Sequence, residues 1–304
     1  MVYIIMFVIT ILFTYIAERN FDKKNKFIGV IFSILAIALP SIVAGLRNLD
    51  IGLDISVYVE QNFQTALQSQ SFKECLGNLN TDFLYIVINY IISRMSDNIN
   101  VLLFIIELIN MTLLYLFIYN KRKSIHMWLA MTVYLMVFYN ISLNLVRQSL
   151  AISVILFSMR YVENKKIIKF IICILIATLL HSTAIFSIPI YFIFNILNKK
   201  HKGIYKIVIL LGITFAILNY ENIIHFLVYD VGILSIKYAN YITIFSREEL
   251  DFNFAAILFR VFWIIMALYC YKKLKIIDAN NEIYIYFIIL DLVLNQVRNF
   301  CKLC

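Results

Sequence analysis

Long apolar runs, separated by short polar and mostly basic segments, fill almost the whole of this sequence. Runs such as 27–44, 101–119 and 204–220 approach the roughly 20 apolar residues that an α-helix needs to cross a hydrocarbon layer about 30 Å thick. They are continuous rather than alternating, which indicates helices and not the strands of a membrane barrel. We therefore predict an all-α, polytopic membrane helical bundle with about ten spans. The predicted spans are 2–17, 27–44, 101–119, 127–140, 145–161, 167–180, 183–197, 204–220, 254–271 and 283–294.

The short apolar run Phe83–Ser93 decides the orientation of every span that follows it. Its eleven residues are too few to cross the hydrocarbon layer, and it contains Asn89, so we predict a re-entrant or interfacial helix. With that choice, five short basic segments all fall on one side, which the positive-inside rule makes cytoplasmic. These segments are 19–26, 121–123, 160–169, 199–206 and 272–275. Both chain termini then lie outside.

Two longer polar segments, 45–82 and 221–253, fall on the outer side in this topology. They alternate apolar and polar residues, which predicts amphipathic helices lying at the membrane interface. Aromatic residues such as Tyr58 and Phe63 suit that level of the membrane. We predict a single membrane domain over residues 1–304, with these two segments as its outer loops.

The composition supports the membrane class and excludes several others. Hydrophobic residues make up 62% of the chain and charged residues 15%, against roughly 25% charged residues in soluble domains. The net charge of +9 reflects the basic loops, and no segment between the helices is large enough to bind nucleic acid. The five cysteines lack the spacing of a metal site or a disulfide framework, and no glycine-rich phosphate loop occurs. We predict no metal, no cofactor and no nucleic-acid partner.

Three short motifs lie at predicted outer ends of spans. They are Arg47, Gly52, Asp54 and Tyr58 in an R-x-x-x-x-G-x-D-x-x-x-Y segment; residues 144–151, an N-x-x-R-Q-x-x-A segment with Arg147 and Gln148; and residues 177–184, an A-x-x-x-H-x-[ST]-A segment with His181. In this order and at this span spacing, the motifs resemble the EpsG family of bacterial exopolysaccharide proteins, which is related to Wzy-type polysaccharide polymerases. The resemblance covers about residues 1–300.

The resemblance implies a multi-pass protein of the bacterial cytoplasmic membrane. It implies a metal-independent glycosyltransferase that joins oligosaccharide repeat units carried on polyprenyl diphosphate, at the outer face of the membrane, in exopolysaccharide, capsule or O-antigen biosynthesis. The expected partners are the lipid-linked oligosaccharide, the bilayer and other proteins of polysaccharide assembly.

Each candidate site residue has a functional and a structural interpretation. Asp54 and His181 are the candidate catalytic residues: either side chain suits a general base, and either suits a turn or a helix end. The guanidinium of Arg147 can hold phosphate oxygens bidentately, whereas Arg47 also fits an interfacial anchor. The candidate substrate-binding residues are Arg47, Tyr58, Arg147, Gln148 and Arg298.

Two further features keep other interpretations open. Glu107 lies within an apolar run, where a carboxylate is a functional candidate by default, and it would also suit a transporter or flippase. The chain stops at Cys304, shortly after the run that carries Asp291, whereas family members usually continue into more spans. The sequence is thus expected to be either a short member or a C-terminally truncated copy, and a truncated copy would favour a non-catalytic subunit of a polysaccharide assembly complex.

Overall fold

The structure is a computed structural model that describes residues 1–52, 55–197 and 220–232, with the single positions 212, 258, 262, 265, 266 and 269. Every regular element in this part of the chain is helical. The chain divides into two compact units, Met1–Ile188 and Pro189–Cys304. The single membrane domain stays a prediction.

The first unit is built from ten α-helices. They are α1 (Val2–Asp22), α2 (Lys26–Gly45), α3 (Glu60–Gln68), α4 (Phe72–Asn78), α5 (Phe83–Ser93), α6 (Ile99–Lys121), α7 (Met127–Val133), α8 (Tyr139–Asn144), α9 (Val146–Glu163) and α10 (Ile167–Leu180). Two π-helical turns, Ile55–Val59 and Tyr134–Phe138, precede α3 and join α7 to α8, and a 3₁₀ turn, Ser182–Ser187, follows α10. Beyond it lie α11 (Ile188–Leu197), α12 (Tyr220–His225) and a π-helical turn, Phe226–Asp230.

Four of the described helices are long and apolar enough to cross a membrane: Val2–Asp22, Lys26–Gly45, Ile99–Lys121 and Met127–Asn144. They confirm the helices predicted at 2–17, 27–44, 101–119 and 127–140. The segments predicted at 145–161 and 167–180 are helical as α9 and α10, and 183–197 begins as a 3₁₀ turn and continues as α11. The predicted spans 204–220, 254–271 and 283–294 lie outside the described residues, apart from single positions, so the number of ten spans stays a prediction.

Several hydrophobic clusters pack the described part of the first unit, and α6 contributes to two of them. One cluster contains Ile55, Phe63, Tyr85, Leu102 and Val146. The other contains Met6, Ala44, Met111, Met127 and Tyr139. Phe63 is fully buried among protein side chains, because α3 packs against α5. The position of α3 at the membrane interface stays a prediction.

Contacts at one end of the first unit bring three of the basic segments together. His126 Nδ1 lies 2.9 Å from Glu18 Oε1, which links the end of α1 to the start of α7. Lys121, at the end of α6, forms an ion pair with Glu163 at the end of α9. We call this the basic end of the unit and the opposite end the site end. The position of these three basic segments at one end of the unit agrees with the predicted orientation. The compartment that this end faces stays a prediction.

The short helix α5 has the bounds that the sequence predicts, and both its ends lie towards the site end. It begins after Asp82, which contacts the start of α9. At the other terminus of α5, Arg94 donates to the backbone carbonyls of Ala66 and Leu67 in α3. Only residues 95–98 then separate it from α6. This path agrees with a helix that does not cross the membrane.

The orientation can be tested by labelling single cysteines in a cysteine-free background. We expect an impermeant thiol reagent added to intact cells to modify Gln64→Cys, on the exposed face of α3, and to spare Lys123→Cys at the basic end. Both side chains are exposed on the protein surface, so a difference in labelling would reflect the side of the membrane and not burial within the protein. The opposite labelling pattern would overturn the orientation of the whole first unit.

Candidate functional site

A carboxylate, an arginine and a histidine meet at the site end. Asp82 Oδ2 lies 3.2 Å from Arg147 Nη1 and 3.7 Å from His181 Nδ1. Its other oxygen, Oδ1, accepts a hydrogen bond of 3.0 Å from the backbone N–H of Ser182. One carboxylate therefore joins the start of α5, the start of α9 and the turn that follows α10.

The local backbone explains why these three side chains converge. Asp82 is the N-cap residue of α5, but its side chain makes no capping hydrogen bond to that helix, so both its oxygens are available to other elements. Leu145 has non-helical angles that end α8 and start α9, which puts Arg147 in the first turn of α9. His181 is extended and ends α10. A positive charge at a helix N-terminus is unfavourable, so Asp82 offsets a cost that the position of Arg147 creates.

The guanidinium of Arg147 is fixed on several sides. Its Cζ lies 4.6 Å from the centroid of the Tyr58 ring and 5.5 Å from that of Tyr85. Nη1 also donates to the hydroxyl of Thr81, while Nε is buried and has no hydrogen-bond partner among the described residues. A planar cation held between aromatic rings and a carboxylate has a defined orientation. Such a group can present its remaining donors to an anion.

The charges around Asp82 keep it ionised. Burial by itself would raise the pKa of Asp82, but the nearby His181 imidazole, the Arg147 guanidinium and the Ser182 N–H together hold that pKa below the ordinary value of 3.8. His181 Nδ1 lies 3.7 Å from this carboxylate, beyond hydrogen-bond distance, and has no hydrogen-bond partner among the described residues. In the tautomer that carries its proton on Nδ1, that proton faces the carboxylate and Nε2 is the proton acceptor of the imidazole. The arrangement can therefore orient a general base beside an anion-binding group.

A second polar centre lies deeper in the first unit. Glu107 accepts from Asn110 Nδ2, at 3.3 Å to each carboxylate oxygen, and the same nitrogen contacts the hydroxyl of Tyr134 at 3.1 Å. Arg47 is buried nearby. Burial lowers the pKa of its guanidinium, while the charge of Glu107 acts in the opposite direction, as do Tyr139 and Tyr3. The neighbours of Arg47 thus differ from those of Arg147.

The structure places the predicted site residues in three groups. Tyr58, Arg147 and His181 come together around Asp82. Gln148 is exposed, and as the next residue of α9 it lies about 100° around the helix from Arg147. Arg47 belongs to the second centre. Asp54 and Arg298 lie outside the described residues.

Asp82 is the residue that the sequence interpretation missed. It stands after Thr81 and directly before an apolar run, a position typical of a helix cap. The one signal in the sequence is a charge of opposite sign, Arg147, at another predicted outer span end. The spacing does not distinguish Asp82 from the other acidic residues of the same loop as its partner.

Gly52, in the first motif, adopts a backbone conformation that only glycine takes up readily. Its φ is +111°, a region that favours glycine. A Cβ at this position would lie 2.9 Å from the backbone oxygen of Leu143. The loop is therefore pressed against the last turn of α8, just before the helix that carries Arg147.

Comparison with known proteins identifies one family. The model of the EpsG family matches residues 30–300, which include all three motifs. No match was found among curated proteins or among solved structures. Within the described residues, no group of three or more His, Cys, Asp or Glu side chains is placed to hold a metal ion.

Proposed function

Because this chain belongs to the EpsG family, an exopolysaccharide-related family of membrane proteins, we propose that it is a polysaccharide polymerase of the bacterial cytoplasmic membrane. It joins oligosaccharide repeat units that are carried on polyprenyl diphosphate, at the outer face. The growing glycan on one lipid is transferred to a sugar hydroxyl of the unit on another lipid. The convergence of Arg147, Asp82 and His181 at the site end is the observation that carries this proposal.

In the proposed reaction, the acceptor hydroxyl attacks the anomeric carbon of the donor glycan. A glycosidic C–O bond forms while the bond between that carbon and the diphosphate breaks. The hydroxyl proton passes to Nε2 of His181, a general base whose Nδ1 lies 3.7 Å from Asp82. A small approach of the two side chains on substrate binding would form the orienting hydrogen bond. The polyprenyl diphosphate leaves with its negative charge.

Arg147 suits the leaving group of this reaction. The charge of the diphosphate increases as the bond breaks, and a fixed cation stabilises that charge without reorganising during the step. Tyr58 and Asp82 hold the guanidinium in place, and within the part of the chain that the structure describes its buried Nε has no hydrogen-bond partner. The long apolar helices of the first unit match a substrate whose lipid tail stays in the bilayer.

Deleting the gene tests this function directly. We expect the deletion strain to build and translocate single repeat units that remain on the lipid or are transferred as one unit, with no long polymer. The gene supplied in trans should restore the chain length, and the same gene with His181→Ala should not.

Two other outcomes would replace the proposal. Repeat units trapped on the cytoplasmic side would indicate a flippase. Restoration of full chain length by the His181→Ala gene would show that His181 is not the general base, and restoration by a gene that also carries Asp54→Asn would leave a non-catalytic role in assembly. Unchanged glycan after deletion, with no second gene copy, would contradict all the interpretations that involve this polysaccharide.

A further inference from the structure

Two polar atoms on the neighbours of Asp82 are buried and have no hydrogen-bond partner among the described residues. One is Nε of Arg147 and the other is Nδ1 of His181. Both side chains face the same carboxylate oxygen, since Asp82 Oδ2 lies 3.2 Å from Arg147 Nη1 and 3.7 Å from His181 Nδ1. Buried polar groups in proteins are almost always hydrogen-bonded, so two such atoms around one carboxylate require an explanation.

The carboxylate of Asp82 is held between two elements. Its Oδ1 accepts a hydrogen bond of 3.0 Å from the backbone N–H of Ser182, which ties it to the turn that carries His181. Its Oδ2 contacts Arg147 in the first turn of α9. The 3.7 Å to His181 Nδ1 exceeds an ordinary N–H to oxygen hydrogen bond by about half an ångström. A small rotation about the anchored Oδ1 would therefore bring Oδ2 to the imidazole.

Arg147 has other contacts that would keep it in the site without Asp82. Nη1 donates to the hydroxyl of Thr81 as well as to Asp82, and the rings of Tyr58 and Tyr85 lie against the guanidinium. One of the donor pairs with which a guanidinium grips a phosphate includes Nε, which is buried here. The guanidinium must shift to offer that pair to an anion, and a shift changes its contact with Asp82.

We propose that the diphosphate of the donor lipid takes Arg147 away from Asp82, and that Asp82 then turns to His181 and accepts a hydrogen bond from Nδ1. The proposal rests on the proposed function and adds an order of events to it. Donor binding prepares the base that deprotonates the acceptor. This single exchange gives both buried atoms a partner, because the diphosphate reaches Nε and Asp82 reaches Nδ1.

The charges favour this exchange. A diphosphate carries more negative charge than a carboxylate and offers several oxygens to the guanidinium fork. It also repels Asp82, which has the same sign of charge, and so drives the carboxylate away from Arg147. A carboxylate at Nδ1 holds a histidine in the tautomer whose Nε2 accepts a proton, and it stabilises the imidazolium that results. The guanidinium reaches its position before the glycosidic bond breaks.

Nuclear magnetic resonance of isotope-labelled histidine tests the exchange on the purified full-length protein in lipid nanodiscs. The nitrogen chemical shifts show which ring nitrogen carries the proton, and the probe is inorganic pyrophosphate. The chain has four histidines, and the signals of His181 are those that disappear in His181→Gln. At about pH 9, where a histidine side chain is ordinarily neutral, we expect pyrophosphate to raise the ratio of the Nδ1–H to the Nε2–H tautomer by about tenfold or more.

Two variants separate the exchange from a direct effect of pyrophosphate on the imidazole. Arg147→Met removes the competitor for Asp82, so His181 should adopt the Nδ1–H tautomer without pyrophosphate and should not respond when it is added. Asp82→Ala removes the acceptor, so the tautomer ratio should stay low with and without pyrophosphate. Unchanged signals from the other histidines would show that each variant is folded.

Matched controls lie outside the site. Arg160 is an arginine at the basic end that stacks on Phe157, and Asp97 is an exposed acid between α5 and α6. Arg160→Met and Asp97→Ala should respond to pyrophosphate as the wild type does. If either control abolishes the response, the effect of the site variants is general and the proposal is wrong.

Four results would overturn the proposal. They are a wild-type protein that does not bind pyrophosphate, a tautomer ratio that pyrophosphate leaves unchanged, an Arg147→Met protein with the ratio of the free wild type, and an Asp82→Ala protein that responds as the wild type does. Each of them leaves the polymerase proposal intact, because that proposal fails on the gene deletion instead. Conversely, unchanged glycan after gene deletion would not alter the measured tautomers.

Discussion

Asp82→Asn is expected to lower polymer formation by about 100-fold or more while the amount of protein in the membrane holds. The substitution keeps the size of the side chain and removes the charge that contacts Arg147 and His181. It would leave the histidine without its orienting partner and the guanidinium without its counter-charge. The measurement is the chain-length distribution of the surface glycan, set against the protein level in isolated membranes.

The matched control for this prediction is Asp97→Asn. Asp97 is an exposed acid in the segment between α5 and α6, so its loss should leave the chain lengths unchanged. Polymer of normal length in the Asp82→Asn strain would show that the carboxylate is not needed at the site.

The lowered pKa of Asp82 also predicts how the stability of the Asp82→Asn protein depends on pH. The pKa of Asp82 is lowered in the folded protein, so its charge stabilises the fold above the ordinary pKa of an unfolded carboxyl, and that contribution is lost as the pH falls through the lowered pKa. The thermal unfolding temperature of Asp82→Asn should therefore lie below that of the wild type at neutral pH. The difference should shrink as the pH falls below about 4.

Arg147→Lys is expected to impair polymer formation nearly as much as Arg147→Ala, by at least about tenfold. A lysine keeps the charge but cannot lie flat against Tyr58 while it donates to both Thr81 and Asp82. It also lacks the fork of donors that matches phosphate oxygens. Chain length and pyrophosphate affinity should fall together.

The corresponding change at the basic end, Arg160→Lys, serves as the control for Arg147→Lys. It preserves the charge at a position outside both centres and should leave chain length and pyrophosphate affinity unchanged. If the Arg147→Lys protein makes polymer of full length, Arg147 is an interfacial charge and not a ligand of the diphosphate.

Hydropathy and charge predicted the elements of the first unit well. The four long helices and the short helix Phe83–Ser93 occur where the apolar runs place them, because burial in lipid and helix length leave few alternatives. The predicted topology also put Arg147 and His181 at one end of the unit, and the contacts of Asp82 join them there.

The partners of the site residues could not be predicted in the same way. Asp82 meets Arg147 because segment 45–82 folds back between helices, and an alternation of apolar and polar residues does not specify that path. Arg47 has Glu107 of α6 as a charged neighbour, and hydropathy does not tell which helices become neighbours. Sequence reasoning therefore found the end of the protein where the site lies, but not its two separate centres.

The junction at Leu145 has a consequence for which lipids the protein can use. A single non-helical residue joins α8 to α9, and Ser149 bonds across it to the carbonyl of Ser142 at 3.2 Å. The contact between His126 and Glu18 fixes the start of the helical segment Met127–Asn144. The ion pair between Lys121 and Glu163 fixes the end of α9. Arg147 is thus held at a fixed distance from the basic end of the unit. In the proposed function, the protein would then select a carrier by the level at which its phosphates lie, and isoprenoid tails of different lengths would serve equally well.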